Sequence, residues 1–214
     1  MNKTMTPKQH YYENIADTVI KKFNLRGIEG YYCATKDEAL ATAKRFLTPE
    51  CTVSWGGSMT LNEIGLIDDL YSSDCIVYDR FSVPAEERAA MYQKIVGCDY
   101  YFMSSNAITL DGQLINVDGG GNRVACLIYG PKNVIVIAGM NKLVPNVQAG
   151  MDRVRNMAAP PNCNRLELDT PCASSGQCAN CLVDDCICAN TVITRKSMTP
   201  GRIKVILVGE ELGY

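Results

Sequence analysis

The chain has 214 residues, which is enough for one domain with a substantial hydrophobic core. Its formal net charge of −2 gives no basic field for nucleic-acid binding, and its 47% hydrophobic and 21% charged residues are ordinary for a globular protein. No apolar run approaches the roughly 18–20 residues of a membrane span, and the N-terminus lacks the apolar core of a signal peptide, so we expect a cytoplasmic protein that binds neither nucleic acid nor membrane.

The first half of the sequence alternates helix and strand patterns. Apolar residues three and four positions apart predict a first helix over 6–23. Thr35 is a predicted helix cap, and Glu38 three residues later is expected to complete a capping box. The same reasoning predicts strands over 31–34, 51–55 and 75–78 and helices that begin near 61 and 84.

The second half is organised around the stretch 100–121, in which an apolar run is followed by a polar loop. Asp111-Gly112 predicts a hairpin turn because glycine accepts positive φ and aspartate bonds its own backbone. Alternating strands and helices predict an α/β fold with a layered, largely parallel sheet flanked by helices. The remaining predicted elements are helices over 122–129 and 146–156 and strands over 100–103, 134–138 and 203–208.

Three loops rich in glycine, serine or asparagine follow predicted strands. Because the carboxyl ends of parallel strands share one edge of a sheet, we expect these loops to line one crevice. Three consecutive glycines suit a close approach of backbone to ligand, and the amides that open the next helix would then favour an anion. A tight turn with a serine cap is the alternative for the first loop, which matches neither a Walker loop nor a dinucleotide fingerprint. The three loops are Gly56-Gly57-Ser58, Ser104-Ser105-Asn106 and Gly119-Gly120-Gly121.

Four charged residues lie near this predicted crevice in the sequence. Asp111 and Asp118 are the nearest acids. The alternative for Asp111 is a role in forming the turn, and the alternative for Asp118 is a capping or solvated acid. Arg123 and Lys142 are candidate partners of an anionic ligand, with an exposed surface position as the alternative for both. The one histidine, His10, leaves little basis for a Ser-His-Asp triad or a histidine metal site.

Six of the eleven cysteines fall within residues 163–188. In a cytoplasmic chain they are expected to be thiols or metal ligands rather than disulfides. Four thiolates suit zinc or an iron–sulfur cluster, although the spacing is the usual one for neither, and free or redox-reactive thiols are the alternative. The predicted ligands are Cys172, Cys178, Cys181 and Cys188.

The other cysteines have different predicted roles. Cys186 lies two residues from Cys188 and would face the same side of an extended segment, so a ligand swap is open. Five cysteines in apolar runs are predicted to be small core residues, namely Cys33, Cys51, Cys75, Cys98 and Cys126.

Several motifs together resemble the lactate-utilisation protein family, the LUD domain. They include Trp55–Leu61, Ser104–Thr109 with Asp111-Gly112, Gly119–Arg123, Val136–Lys142 and, further on, Arg153–Asn156 and Ala158–Asn162. The spaced cysteines and the final Val208–Tyr214 resemble one subgroup of that family, which supports the four chosen ligands and leaves Cys163 and Cys186 outside the metal site.

The resemblance implies a fold similar to glucosamine-phosphate deaminases, ribose-phosphate isomerases and CoA transferases. The segment at Asn106 also resembles an isomerase segment in which an aspartate transfers protons, but an amide cannot do so at neutral pH. We therefore expect one domain over 1–214, with residues 163–190 as a cysteine-rich, metal-binding insertion.

The resemblance also implies a role in the bacterial oxidation of lactate to pyruvate, beside iron–sulfur partner proteins. The predicted function is a component of that redox system with a small anionic ligand in the crevice. A stand-alone enzyme acting on a sugar phosphate or CoA ester, and a non-catalytic sensor or scaffold, are the two alternatives. A homodimer is compatible with each of them.

Overall fold

The computed structural model describes residues 5–214 and contains two β-sheets. The larger sheet has six strands in the order β1-β10-β7-β4-β2-β3, and all its pairings are parallel. The smaller sheet has the order β8-β5-β6-β9 and is mixed. The strands are β1 Glu29–Cys33, β2 Thr52–Trp55, β3 Ile76–Val77, β4 Tyr100–Met103, β5 Ala107–Thr109, β6 Leu114–Asp118, β7 Asn133–Gly139, β8 Leu143–Val144, β9 Asn190–Thr194 and β10 Ile203–Val208.

Nine α-helices lie in the described part of the chain, together with two short 3-10 turns at Ala85–Glu87 and Met140–Lys142 and one π-helical turn at Val154–Ala158. The α-helices are α1 Pro7–Leu25, α2 Lys36–Lys44, α3 Met59–Glu63, α4 Leu66–Tyr71, α5 Arg88–Val96, α6 Asn122–Ile128, α7 Val147–Arg153, α8 Ala159–Arg165 and α9 Pro171–Ser175.

Helices cover both faces of the large sheet, so the predicted α/β fold is confirmed. Strand β7 contributes alternate residues to the two faces: Val134 and Val136 pack against α1, α5 and α6, whereas Ile135 and Ile137 pack against α2, α3 and α4. This two-sided burial explains why the strand is apolar without alternation. The small sheet packs on α7 through a third cluster that includes Ala107, Ile115 and Val154.

The predicted hairpin at Asp111-Gly112 is confirmed, since β5 and β6 are antiparallel and Gly112 has a φ of +87°. The capping box expected at Thr35 is only half formed. The Thr35 hydroxyl accepts from the Glu38 amide, but the Glu38 carboxylate accepts from Ala34 instead of Thr35. A complete capping box forms at the start of α1, where Thr6 and Gln9 exchange both hydrogen bonds.

The helix predicted over 146–156 continues past its expected end. Asn146 caps α7, which passes through the π-helical turn directly into α8. Pro160 and Pro161 fall in the first turn of α8, where they lack the N–H groups of a normal α-helical ladder. The wider π turn just before them accommodates this gap in hydrogen bonding.

The cysteine-rich segment joins α8 to β9 and contains α9 as its one helix. Residues 176–189 have no helix or strand. Strand β9 was not predicted, and it pairs antiparallel with β6 at the edge of the small sheet. Within residues 5–214 no helix has both the length and the apolar character needed to cross a membrane.

Candidate functional site

A cavity of about 270 Å³ lies beyond the carboxyl ends of the neighbouring strands β2, β4 and β7, and we call it the strand-end cavity. The loops that follow β2 and β4 converge there as expected for parallel strands. The third loop follows β6, which belongs to the small sheet rather than to the parallel one as predicted, yet it reaches the same cavity. The predicted site residues that line the cavity are Gly57, Ser58, Asn106, Gly119, Gly120, Arg123 and Lys142.

Three predicted site residues lie elsewhere. Gly56 packs directly behind the cavity, where an added Cβ would approach the Arg123 side chain to 2.9 Å. Gly121 caps α6 with a φ of +80°, and its amide donates to Asp118 at 2.9 Å, so that amide is not free for an anion. Asp111 does not line the cavity: its carboxylate accepts from Arg26 at 2.7 Å in the hairpin turn, at the far end of β5.

The side chain of Arg123 supports the cavity wall from within the protein. Its Nε lies 3.3 Å from the buried Asp118 carboxylate, and Nη1 and Nη2 donate to two acceptors each. The four Nη N–H groups of the guanidinium therefore have protein acceptors, and its charge is paired with Asp118. The four acceptors at Nη1 and Nη2 are the Ser104 and Val117 carbonyls and the Asn116 and Asn106 side-chain oxygens.

Asn106 links the loop after β4 to strand β6. Its Oδ1 accepts from the Val117 amide and from Arg123 Nη2, both at 3.0 Å. Its own carbonyl accepts from Arg153 at 2.7 Å. These contacts give Asn106 a structural role in the cavity wall, and as an amide its side chain cannot transfer a proton at neutral pH.

Lys142 follows β7 and places a buried amine in the cavity wall, with only 3% of the residue exposed. Its Nζ donates to the Ser104 hydroxyl at 2.9 Å and to the Thr60 hydroxyl at 3.0 Å. No carboxylate lies within 4 Å of this nitrogen in the described part of the chain. Burial lowers the pKa of Lys142 to about 7, and the positive charge of Arg153 adds to the effect.

Two further cations line the cavity and were missed in the sequence. Arg80 lies just after β3, donates to the Tyr92 hydroxyl at 2.8 Å and has spare N–H groups. Its position beyond the end of a parallel strand could have identified Arg80 as a cavity residue from the sequence. Arg165 at the end of α8 donates only to its neighbour Asn162, and nothing in its local sequence marks it. Neither arginine has a carboxylate partner within residues 5–214.

A second cavity, of about 120 Å³, adjoins the first, and we call it the cysteine pocket. Its lining includes all six cysteines of the cysteine-rich segment. The four predicted ligands thus line one pocket, and so do the two cysteines that were placed outside the metal site. The six are Cys163, Cys172, Cys178, Cys181, Cys186 and Cys188.

The thiols of the cysteine pocket are near one another but are not arranged around a single point. Cys163 and Cys172 have sulfurs 3.7 Å apart, and burial raises the pKa of the Cys163 thiol. In residues 5–214 no group of three or more His, Cys, Asp or Glu side chains is arranged to hold a metal ion. The donor set suits zinc or an iron–sulfur cluster in its chemistry, but binding requires the sulfurs to be drawn closer together.

The two cavities share a wall. Five residues line both of them, and Cys188 is the one thiol among these. Backbone atoms of Ile187 also lie 3.3 Å from the position of a Cβ on Gly119. A change in the conformation of the cysteine-rich segment would therefore alter the packing against the loop Gly119-Gly120-Gly121 directly. The shared residues are Val117, Val154, Ala159, Ile187 and Cys188.

Comparison with known proteins gives one family match and several similar folds. The LUD domain family matches this chain over residues 16–208. A solved DUF162 family protein from Deinococcus radiodurans is similar with a TM-score of 0.55 and 12% identity, over 92% of this chain and 98% of that chain. No curated protein matches the sequence.

Two other solved structures are similar over a smaller part of the chain. Ribose 5-phosphate isomerase from Plasmodium falciparum has a TM-score of 0.33 at 20% identity, over 52% of each chain. The eIF2B delta protein from Chaetomium thermophilum has a TM-score of 0.36 at 14% identity, over 63% of this chain and 53% of that chain. Neither likeness is close enough to bear on function.

Proposed function

Because this chain belongs to the LUD domain family, we propose that it serves bacterial lactate utilisation by binding a small anion in the strand-end cavity. The chain acts in the cytoplasm as one component of a redox system that oxidises lactate to pyruvate. Iron–sulfur partner proteins carry the electrons in that system.

The observation that carries this proposal is unpaired positive charge in the cavity wall. The charge of Arg123 is offset by Asp118, whereas Arg80, Lys142 and Arg165 line the cavity with no carboxylate partner in the described residues. Of these three groups Lys142 is buried, and an uncompensated cation is costly to bury, so a bound anion would stabilise its charged form. The more exposed Arg80 and Arg165 would add charge-assisted hydrogen bonds to the anion. The glycine loop adds backbone that a ligand can approach closely.

Several anions share the required chemistry, since a carboxylate and a phosphate both accept from lysine and arginine. Lactate and pyruvate present a carboxylate with a hydroxyl or keto group beside it. Ser58 and Ser104 line the same cavity, and a serine hydroxyl can bond such a group. A sugar phosphate or CoA ester would use the same cations, and the experiment below separates these classes.

We also propose that Cys172, Cys178, Cys181 and Cys188 bind one metal centre, zinc or an iron–sulfur cluster. The support is their common position in the cysteine pocket. Such thiolates would hold zinc as a structural ion or a cluster that exchanges electrons. Serine substitution of each ligand, with measurement of the bound metal, tests this proposal.

The proposed anion site is tested by thermal unfolding of the full chain with lactate, pyruvate, inorganic phosphate and ribose 5-phosphate. A ligand that binds only the folded protein raises Tm by mass action. We expect lactate or pyruvate to raise Tm, and lactamide, which has the same shape without the charge, to leave it unchanged.

The matched variants are Lys142→Met in the cavity and Lys132→Met at an exposed lysine that pairs with Asp99 outside it. The shift caused by the ligand, measured from each variant's own Tm, should be lost in the first and kept in the second. A shift by ribose 5-phosphate alone would favour the sugar-phosphate enzyme. No shift with any of the four anions would contradict an anion site.

A further inference from the structure

The Lys142 amine has surroundings that differ from those of a simple anion-binding lysine. Its two hydrogen-bond partners are hydroxyls, on Ser104 and Thr60, and both residues are buried. The segment 212–213 covers it from the other side, where a Cβ on Gly213 would lie 3.3 Å from Nζ. Lys142 lines the cavity, and its amine is shielded from bulk water.

This environment favours the neutral amine. Burial lowers the pKa of Lys142 to about 7; the charges of Arg153 and Arg123 act in the same direction, and that of Glu63 opposes them. Near neutral pH the uncharged fraction of this amine therefore exceeds that of an ordinary lysine by orders of magnitude. A desolvated neutral lysine is a nucleophile toward carbonyl compounds, whereas an ammonium ion is only a charge.

We propose that Lys142 forms an imine with the keto group of a 2-oxo acid bound in the strand-end cavity, an inference that rests on the proposed function of that cavity. A 2-oxo acid carries its carboxylate one bond from its carbonyl. The cations that remain unpaired in the cavity, Arg80 and Arg165, bind the carboxylate. The keto carbon then lies next to the buried amine of Lys142.

The step needs no further reactant. The nitrogen lone pair attacks the keto carbon, a C–N bond forms, and the carbonyl π electrons move to oxygen. A proton passes from nitrogen to that oxygen to give a carbinolamine, and Ser104, 2.9 Å from Nζ, is positioned to relay it. Loss of water, with protonation of the leaving hydroxyl, then forms the C=N bond, and hydrolysis reverses the reaction.

Reduction with sodium borohydride tests the proposal, because it converts an imine to a stable secondary amine. The full chain is incubated with pyruvate, reduced, digested and mapped by mass spectrometry. We expect the adduct at Lys142, at least about tenfold above the exposed Lys132 given the difference in neutral fraction. Lactate, which has no carbonyl, should give none.

Two variants sharpen the test. Lys142→Arg keeps a positive charge but cannot form an imine, so it should lose the adduct, and Lys132→Arg should keep it. The yield should rise between pH 6 and pH 8 as the amine of Lys142 loses its proton. The wild-type peptide map locates the adduct even if Lys142→Arg does not fold.

The possible results separate this inference from the proposed function. A Tm shift with pyruvate and no adduct at Lys142 overturns the imine and leaves the anion site in place. Adducts spread evenly over exposed lysines also overturn it. If pyruvate gives neither a Tm shift nor an adduct, both proposals are contradicted.

Discussion

The strand-end cavity and the cysteine pocket share a wall but are built in opposite ways. The first is held by sheet strands and by a buried arginine, Arg123, that makes four hydrogen bonds and an ion pair within the protein. The second is formed largely by residues 176–189, which have no helix or strand. Some of its backbone N–H groups donate to sulfur, such as Asn180 N to Cys178 Sγ at 3.4 Å.

The difference shows that ligand binding must order the protein in one cavity but not in the other. The strand-end cavity is already ordered, so an anion can bind without organising the protein. In the cysteine pocket no three donors of the described residues converge on one point, so metal binding and ordering of its loop are expected to occur together. The substitutions below test that contrast.

The largest effect is expected for Arg123→Met. The substitution removes the ion pair with the buried Asp118 carboxylate and the hydrogen bonds to four acceptors, which should lower the free energy of unfolding by about 3–5 kcal/mol. Urea denaturation measures the loss. Arg165→Met, at an exposed arginine of the same cavity, should change it by less than about 0.5 kcal/mol. Equal effects of the two would mean that Arg123 does not support the cavity.

The next effect is the pH dependence of Lys142→Met. The pKa of Lys142 is about 7 in the folded protein and near 10.5 when unfolded, so between these values the unfolded chain binds more protons. Wild-type stability should therefore rise relative to the variant from pH 7 to 10, by at most about 1.4 kcal/mol per pH unit. Below pH 7 the difference should be constant. Urea denaturation at several pH values checks this, and a difference independent of pH would refute it.

A smaller, local effect is expected in the cysteine pocket. Serine at Cys172, Cys178, Cys181 or Cys188 should lower the bound metal and speed amide hydrogen exchange over residues 163–190, because metal binding orders that segment. Metal content is measured after anaerobic purification. Cys186→Ser, in the same pocket, is the control and should do neither. Full metal content in Cys178→Ser would exclude the predicted ligand set.

Gly120→Val should have the smallest effect on stability. A Cβ there meets only Asn122 Oδ1, at 3.4 Å, so unfolding should change by less than about 1 kcal/mol, while added bulk in the cavity weakens anion binding about tenfold or more. Gly97→Val, at the end of α5 and outside the cavity, is the control. Unchanged affinity with a sharp fall in Tm would make the glycine a packing residue.

Local patterns predicted the sheet and the loops well because each depends on neighbouring residues. The apolar run of β7 and the turn at Asp111-Gly112 both carry their structure in a few adjacent positions. Asp111 was misplaced relative to the cavity because a strand of three residues separates it from Asn106. At about 3.3 Å per residue this puts the two at opposite ends of β5.

Long-range contacts account for what the sequence did not reveal. Arg123 was predicted as a ligand partner, but its acceptors come from the ends of β4 and β6, which only the folded chain brings together. Lys142 is buried by Thr60 and the segment near Leu212, far away in sequence. Strand β9 had a local signal, the β-branched run Thr191–Thr194, which the neighbouring cysteines obscured.

Calorimetric titration of the metal-stripped full chain with pyruvate tests most directly whether the strand-end cavity is an anion site formed independently of the cysteine pocket. We expect saturable binding to one site, with nearly the same affinity before and after metal is restored, and its loss in Lys142→Met. Binding that appears only after metal is restored, or an absence of binding in both forms, would contradict this account.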